Sequence, residues 1–215
     1  MENRGTKIVT AIALVVAIIG LGIGFAAFSS TLTISSSATV TPSASTFKVV
    51  FSTSSTSESG NATIAGVKSL STDANFTASS ASLTNTTISG ISVNFTEPGQ
   101  NVKYSFYAHN AGEYIAYLNT VVFAQAAPSC EATTPGGATA GLVSAMCEGI
   151  TYSIKIGNLD AMTETDNDVD GHSIAKDSGE LIEVVVSYGD NAARADGPVT
   201  VTLGSITLHY DSLDN

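Results

Sequence analysis

The sequence predicts an all-β protein: an antiparallel β-sandwich of jelly-roll or Greek-key type, preceded by an N-terminal hydrophobic signal or anchor helix. Three observations carry that expectation. The palette is Val, Ile and Thr with 8 Phe, 7 Tyr and 19 Gly but no Trp, a set that fits a pleated surface better than a helix. Runs of four to eleven such residues recur between Gly, Asn, Asp, Pro and Ser punctuation. No amphipathic helical pattern of three turns separates them, so the strands have no helical crossovers to make them parallel.

Composition sets the outer bounds. A chain of 215 residues that is 43% hydrophobic can bury a core, which excludes disorder throughout. Eight Lys and Arg stand against 19 Asp and Glu, a net charge of −11, so no basic face for nucleic acid can be assembled. Charged residues are only 13%, whereas 28 Ser and 26 Thr make about a quarter of the chain. Hydroxyls, more than charges, solvate the surface.

The elements follow in chain order. Arg4 and Lys7 precede an apolar run, Ile8 to Phe28, whose dense first half is loosened after Gly20. This layout is a Sec-type export signal. Gly24 and Ala26 put small residues at the −3 and −1 positions, so cleavage between Ala26 and Ala27 would make Ala27 the mature N-terminus. The alternative is a retained transmembrane anchor, since 21 residues at ~1.5 Å each span ~31 Å. Either way the membrane is met only through residues 8–28, the cationic end stays in the cytoplasm and the body is delivered to the outside or the cell surface. The segments read as 1–26 signal peptide, 27–45 donor strand and 46–215 sandwich domain.

Strands are expected near 31–41, 46–53, 62–68, 74–79, 82–95, 101–110, 114–124, 150–156, 181–188 and 198–210. Alternation is cleanest in Val102, Tyr104 and Phe106 and in Val199, Val201 and Leu203, with polar residues between them. Residues 52–60 are Ser and Thr with one Glu and one Gly and predict a mobile loop. The single helix candidate lies within 138–147, inside the loop closed by Cys130 and Cys147. Outside the cell an even cysteine pair around sixteen residues reads as a disulfide. Sequons at Asn61, Asn75, Asn85 and Asn94 are about as many as chance gives in so Ser- and Thr-rich a chain.

Chemistry-bearing patterns are few. Asp166, Asp168 and Asp170, followed by Gly171, reproduce the register of a calcium loop, with Asp177 at the twelfth position in place of the usual Glu. Calcium is the one candidate cofactor; the alternative is a solvated acidic loop. His109, His172 and His209 are far apart in sequence and form no zinc motif. No nucleophile elbow or phosphate loop is present, so the chain is not expected to be an enzyme. Tyr104, Tyr107, Tyr114 and Tyr117 fall on two consecutive strands, where core and cross-strand packing is favoured over a carbohydrate platform.

The export site Gly22-Ile23-Gly24-Phe25-Ala26-Ala27-Phe28, and the stretch Glu97-Pro98-Gly99-Gln100-Asn101-Val102-Lys103-Tyr104-Ser105-Phe106 followed by Asn110-Ala111-Gly112, resemble the TasA and camelysin group. These are exported matrix-fibre proteins processed by the SipW type of signal peptidase. The resemblance implies a jelly-roll sandwich that polymerises when a freed N-terminal strand completes the next subunit's sheet. The metalloprotease assignment attached to camelysin is not carried over, because the zinc motif is missing.

The residues themselves point the same way. Leu32, Ile34, Ala38 and Val40 alternate along 31–40, interrupted by Ser36, and ten residues reach ~33 Å. Cleavage would free this strand to add to another subunit's open edge. Such donation is heterologous and does not close, so it gives a filament. The expected partner is therefore a second copy of the chain, with an accessory anchor or matrix protein as the other candidate. The competing expectations are that 31–41 pairs within its own domain, and that the whole is a membrane-anchored adhesion module.

Overall fold

A computed structural model describes residues 46–69, 73–125, 127–133, 137–158, 163, 169 and 172–212. The strands run in order β1 (Val49–Ser52), β2 (Ala62–Ala65), β3 (Val67–Lys68), β4 (Thr77–Ala78), β5 (Ser80–Thr84), β6 (Thr87–Ser89), β7 (Ser92–Phe95), β8 (Asn101–Asn110), β9 (Ala116–Phe123) and β10 (Ser129–Ala132). A helix, α1 (Ala140–Cys147), then precedes β11 (Ile150–Ile156), β12 (Ser173–Ile174), β13 (Ser178–Tyr188), β14 (Val199–Thr202) and β15 (Ile206–Asp211). The described body is mostly β and antiparallel, as an all-β sandwich requires.

Three sheets share one core. The first has the order β1-β8-β13-β11, with β3 also on β8; the second is β10-β14-β7-β4; the third is β12-β9-β15-β6-β5-β2. The first sheet is organised by the pairing of β8 with β13, which runs in register from Asn110 opposite Ser178 to Asn101 opposite Ser187. Val102, Tyr104 and Phe106 face inward opposite Val186, Val184 and Ile182, and all six are buried. On the outward face Lys103 reaches Glu183 at 2.7 Å. This is the alternation the sequence shows, with one face dry and the other wet.

Two long apolar runs each cover more than one strand. The expected 82–95 strand is a hairpin, β5 to β6 around Asn85 and Thr86, followed by β7 in a different sheet. Likewise 198–210 is β14 in the second sheet and β15 in the third. The stretch 62–68 also changes sheet, from β2 to β3, at Gly66. A Cβ there would lie 2.7 Å from Val102 Cγ1 and 2.9 Å from the Tyr104 ring, so only glycine lets the chain cross that close to β8. Two strands escaped the sequence reading: β10, which carries no β-branched or aromatic residue, and the two-residue β12.

The loop after β1 is held by its own hydroxyls. Ser52 Oγ donates to the Ser57 carbonyl at 2.6 Å, and the Thr53 N–H donates to Ser59 Oγ at 3.0 Å. Cys130 and Cys147 form the expected disulfide, with Cα atoms 5.9 Å apart, joining β10 to the last turn of α1. Closing a loop of this length stabilises by ~3 kcal/mol through the unfolded chain. α1 buries Val143 and Met146. Its first turn is held from outside, because Asp196 accepts from the Thr139 N–H at 2.7 Å and from its hydroxyl at 2.6 Å. These bonds keep the Asp196 carboxyl below the usual aspartate range.

Candidate assembly edge

The motif Asn110-Ala111-Gly112 fixes the start of β1. Asn110 is fully buried; its amide donates to the carbonyls of Tyr114 at 2.8 Å and Ile174 at 2.9 Å, and its side-chain oxygen accepts from the Gly112 N–H at 3.0 Å. A Cβ on residue 112 would lie 2.7 Å from the Lys48 nitrogen, so the motif needs glycine for close approach. The chain from Thr46 to Lys48 lies on it: Ala111 N–H donates to the Lys48 carbonyl and Glu113 N–H to the Thr46 carbonyl.

Those bonds decide which way the edge faces. Backbone groups alternate in direction along a strand, so with Thr46 and Lys48 turned toward the β8 side, Phe47 and Val49 turn outward. Phe51, in the same phase, donates its N–H outward to the Asn85 carbonyl. The Asn85–Thr86 tip closes that end, with Asn85 at φ 50° and Thr86 accepting from the Leu208 N–H at 3.0 Å. Beside the edge runs an open groove of about 350 Å³ lined by Phe47, Val49, Asn85, Thr86, Leu208 and Tyr210 among others. It combines outward backbone groups with apolar side chains, which is what an added strand uses.

Behind the groove sits a buried polar cluster. The Tyr210 hydroxyl has no hydrogen-bond partner among the described residues, and burial, followed by the nearby Glu180 carboxylate, pushes its ionisation well above the tyrosine range. Glu180 Oε2 lies 2.9 Å from His172 Nδ1. Burial raises the Glu180 pKa, and the imidazole opposes that rise.

The remaining expected site residues divide. Ala26 and Ala27, the donor-strand residues Leu32, Ile34, Ala38 and Val40, and the calcium-loop residues Asp166, Asp168 and Asp170 lie outside the described residues. Asp177 is described: it sits in the turn from β12 to β13 at φ 56° and donates its N–H to the Asn110 carbonyl. Among the described residues no three His, Cys, Asp or Glu side chains stand together as a metal site. His109 is buried with Nδ1 3.3 Å from the Ser55 carbonyl, and His209 is exposed on β15. Tyr104 is a core residue bonded through its hydroxyl to the Ser79 carbonyl, while Tyr114 is exposed. Asn61, Asn75 and Asn85 are exposed, whereas the Asn94 amide is engaged by Thr77.

The groove residues themselves escaped the sequence reading, because Phe47, Asn85, Leu208 and Tyr210 come from distant parts of the chain. The one local signal for them is Asn-x-Gly. Among the described residues no helix is long and apolar enough to cross a membrane. No protein-family model, curated protein or solved structure matches the chain.

Proposed function

We propose that the chain is an exported structural subunit of an extracellular fibre or biofilm matrix, a jelly-roll-type sandwich that polymerises head-to-tail by strand donation. Residues 27–45 of one copy add to the outward edge of β1 in the next. The observation that carries this reading is the outward backbone of Phe47 and Val49 beside an open groove lined by Phe47, Val49, Val50 and Leu208 together with polar residues. Leu32, Ile34, Ala38 and Val40 supply alternate side chains for such a groove. The Cys130–Cys147 disulfide fits export to an oxidising compartment, and no catalytic role is assigned to any residue.

Electron microscopy of purified protein beginning at Ala27 tests the reading. Filaments are expected, and a variant lacking residues 27–40 should keep its strand-rich circular dichroism and form no filaments. A deletion variant that still forms fibres sinks the proposal. If the exported protein keeps residues 1–26 by intact mass and stays monomeric, the membrane-anchored adhesion module replaces it.

A further inference from the structure

The third sheet carries a second surface, its outward face, which meets the groove beside the β1 edge at His209. Its outward side chains form rows across the strands. Val122 on β9 stands opposite Thr207 on β15, Thr207 opposite Thr87 on β6, and Thr87 opposite Thr84 on β5. A neighbouring row runs from Ser89 to Ser82 to Thr63, and another pairs Thr120 with His209. The Thr87 and Thr207 hydroxyls are 3.0 Å apart.

No Lys, Arg, Asp or Glu stands in these rows. The first charge is Asp211, beyond the irregularity at His209 and Tyr210, and there Asn119 donates to its carboxylate at 2.8 Å. The outward face of the first sheet differs: Lys103 and Glu183 stand on it. Composition alone therefore does not make every face neutral.

We propose that this face is a self-association surface, on which two copies of the chain pack hydroxyl row against hydroxyl row. Three physical points select a second copy as the occupant. At a net charge of −11 copies repel over most of their surface, and this face lets them meet without opposing like charges. A hydroxyl is both donor and acceptor, so the face complements itself under a twofold rotation, as an isologous contact requires. Short Ser and Thr side chains, with the nearly half-exposed Val122, let two sheets approach to about the 10 Å of stacked sheets.

The size of the face sets how the contact is used. The nine side chains of these rows, at ~4.8 Å between strands and ~7 Å between rows, cover roughly 300 Å², against about 800 Å² per partner in a stable dimer. Single subunits then pair weakly, and copies held in a row pair strongly because each contact raises the effective concentration for the next. That last consequence rests on the fibre reading, whereas the face itself can be tested on subunits.

The test uses the chain beginning at Ala27 at physiological salt, with X-ray scattering over a concentration series and microscopy of any filaments. Wild type should show net attraction between subunits, or paired filaments where filaments form. Ser82→Glu/Thr120→Glu puts acids on the face and should raise the concentration for half-association ~tenfold or more. Thr151→Glu/Ser178→Glu adds the same charge elsewhere and should leave association unchanged, with thermal melts confirming that both variants fold. Persistent attraction in the first variant overturns the proposal, as does equal loss in both. So does a wild type that shows no attraction and instead binds insoluble neutral polysaccharide through the same face. A complete lack of filaments would defeat strand donation while scattering still decided the face.

Discussion

Asn110 and Asp196 show how single side chains hold this body together. Asn110 satisfies two carbonyls and one N–H in a site closed to water. Asn110→Ala leaves all three to find other partners and should cost about 3 kcal/mol by urea denaturation. The Asn-x-Gly motif was legible in the sequence. That it secures the start of β1 was not, because its contacts to Thr46 and Lys48 span more than 60 residues of chain. Asp196 acts through charge. Its carboxyl ionises below the usual range because Thr139 donates to it twice. A lowered carboxylate contributes stability above its unfolded pKa, near 4, and loses it as pH falls through the lowered folded value. Protection of the α1 amides against hydrogen exchange, taken relative to the slower intrinsic exchange in acid, should therefore fall on acidification from about pH 5 to pH 2, and Asp196→Asn should flatten that dependence. A wild-type profile already flat in this window would remove Asp196 as the helix anchor.

At the scale of elements, the sequence revealed where chain is extended more faithfully than where it changes sheet. The 101–110 and 150–156 strands match β8 and β11 residue for residue, since in both the β-branched and aromatic residues alternate along an unbroken pairing with β13. The run 82–95 keeps its alternation through a hairpin and a change of sheet, so periodicity alone cannot mark the breaks. β10 was missed for the opposite reason: Ser129-Cys130-Glu131-Ala132 has little strand propensity and is held by pairing with β14 and by the disulfide. The crossing from β2 to β3 is testable through Gly66. Gly66→Ala places a methyl within 3 Å of Val102 and Tyr104 and should lower stability by about 1–3 kcal/mol. An unchanged melting temperature would mean that β8 yields there without cost.

For the whole molecule, composition and punctuation were enough to name an antiparallel all-β body, and the cysteine count gave its one crosslink. The proposed assembly edge was less legible, because an edge is defined by what does not pair with it, and that depends on all three sheets at once. The crosslink has a mechanical consequence for the body under load. When the body is pulled apart by its ends, the chain between Cys130 and Cys147 cannot pay out. A separation of 17 residues at ~3.3–3.6 Å each, less the 5.9 Å already spanned, withholds roughly 50–55 Å of extension. Single-molecule stretching should thus show a contour length longer by that amount after reduction. In a fibre of the kind proposed, each subunit would stay shorter at full extension than its residue count implies, with β10 tied to α1 after the sheets have opened.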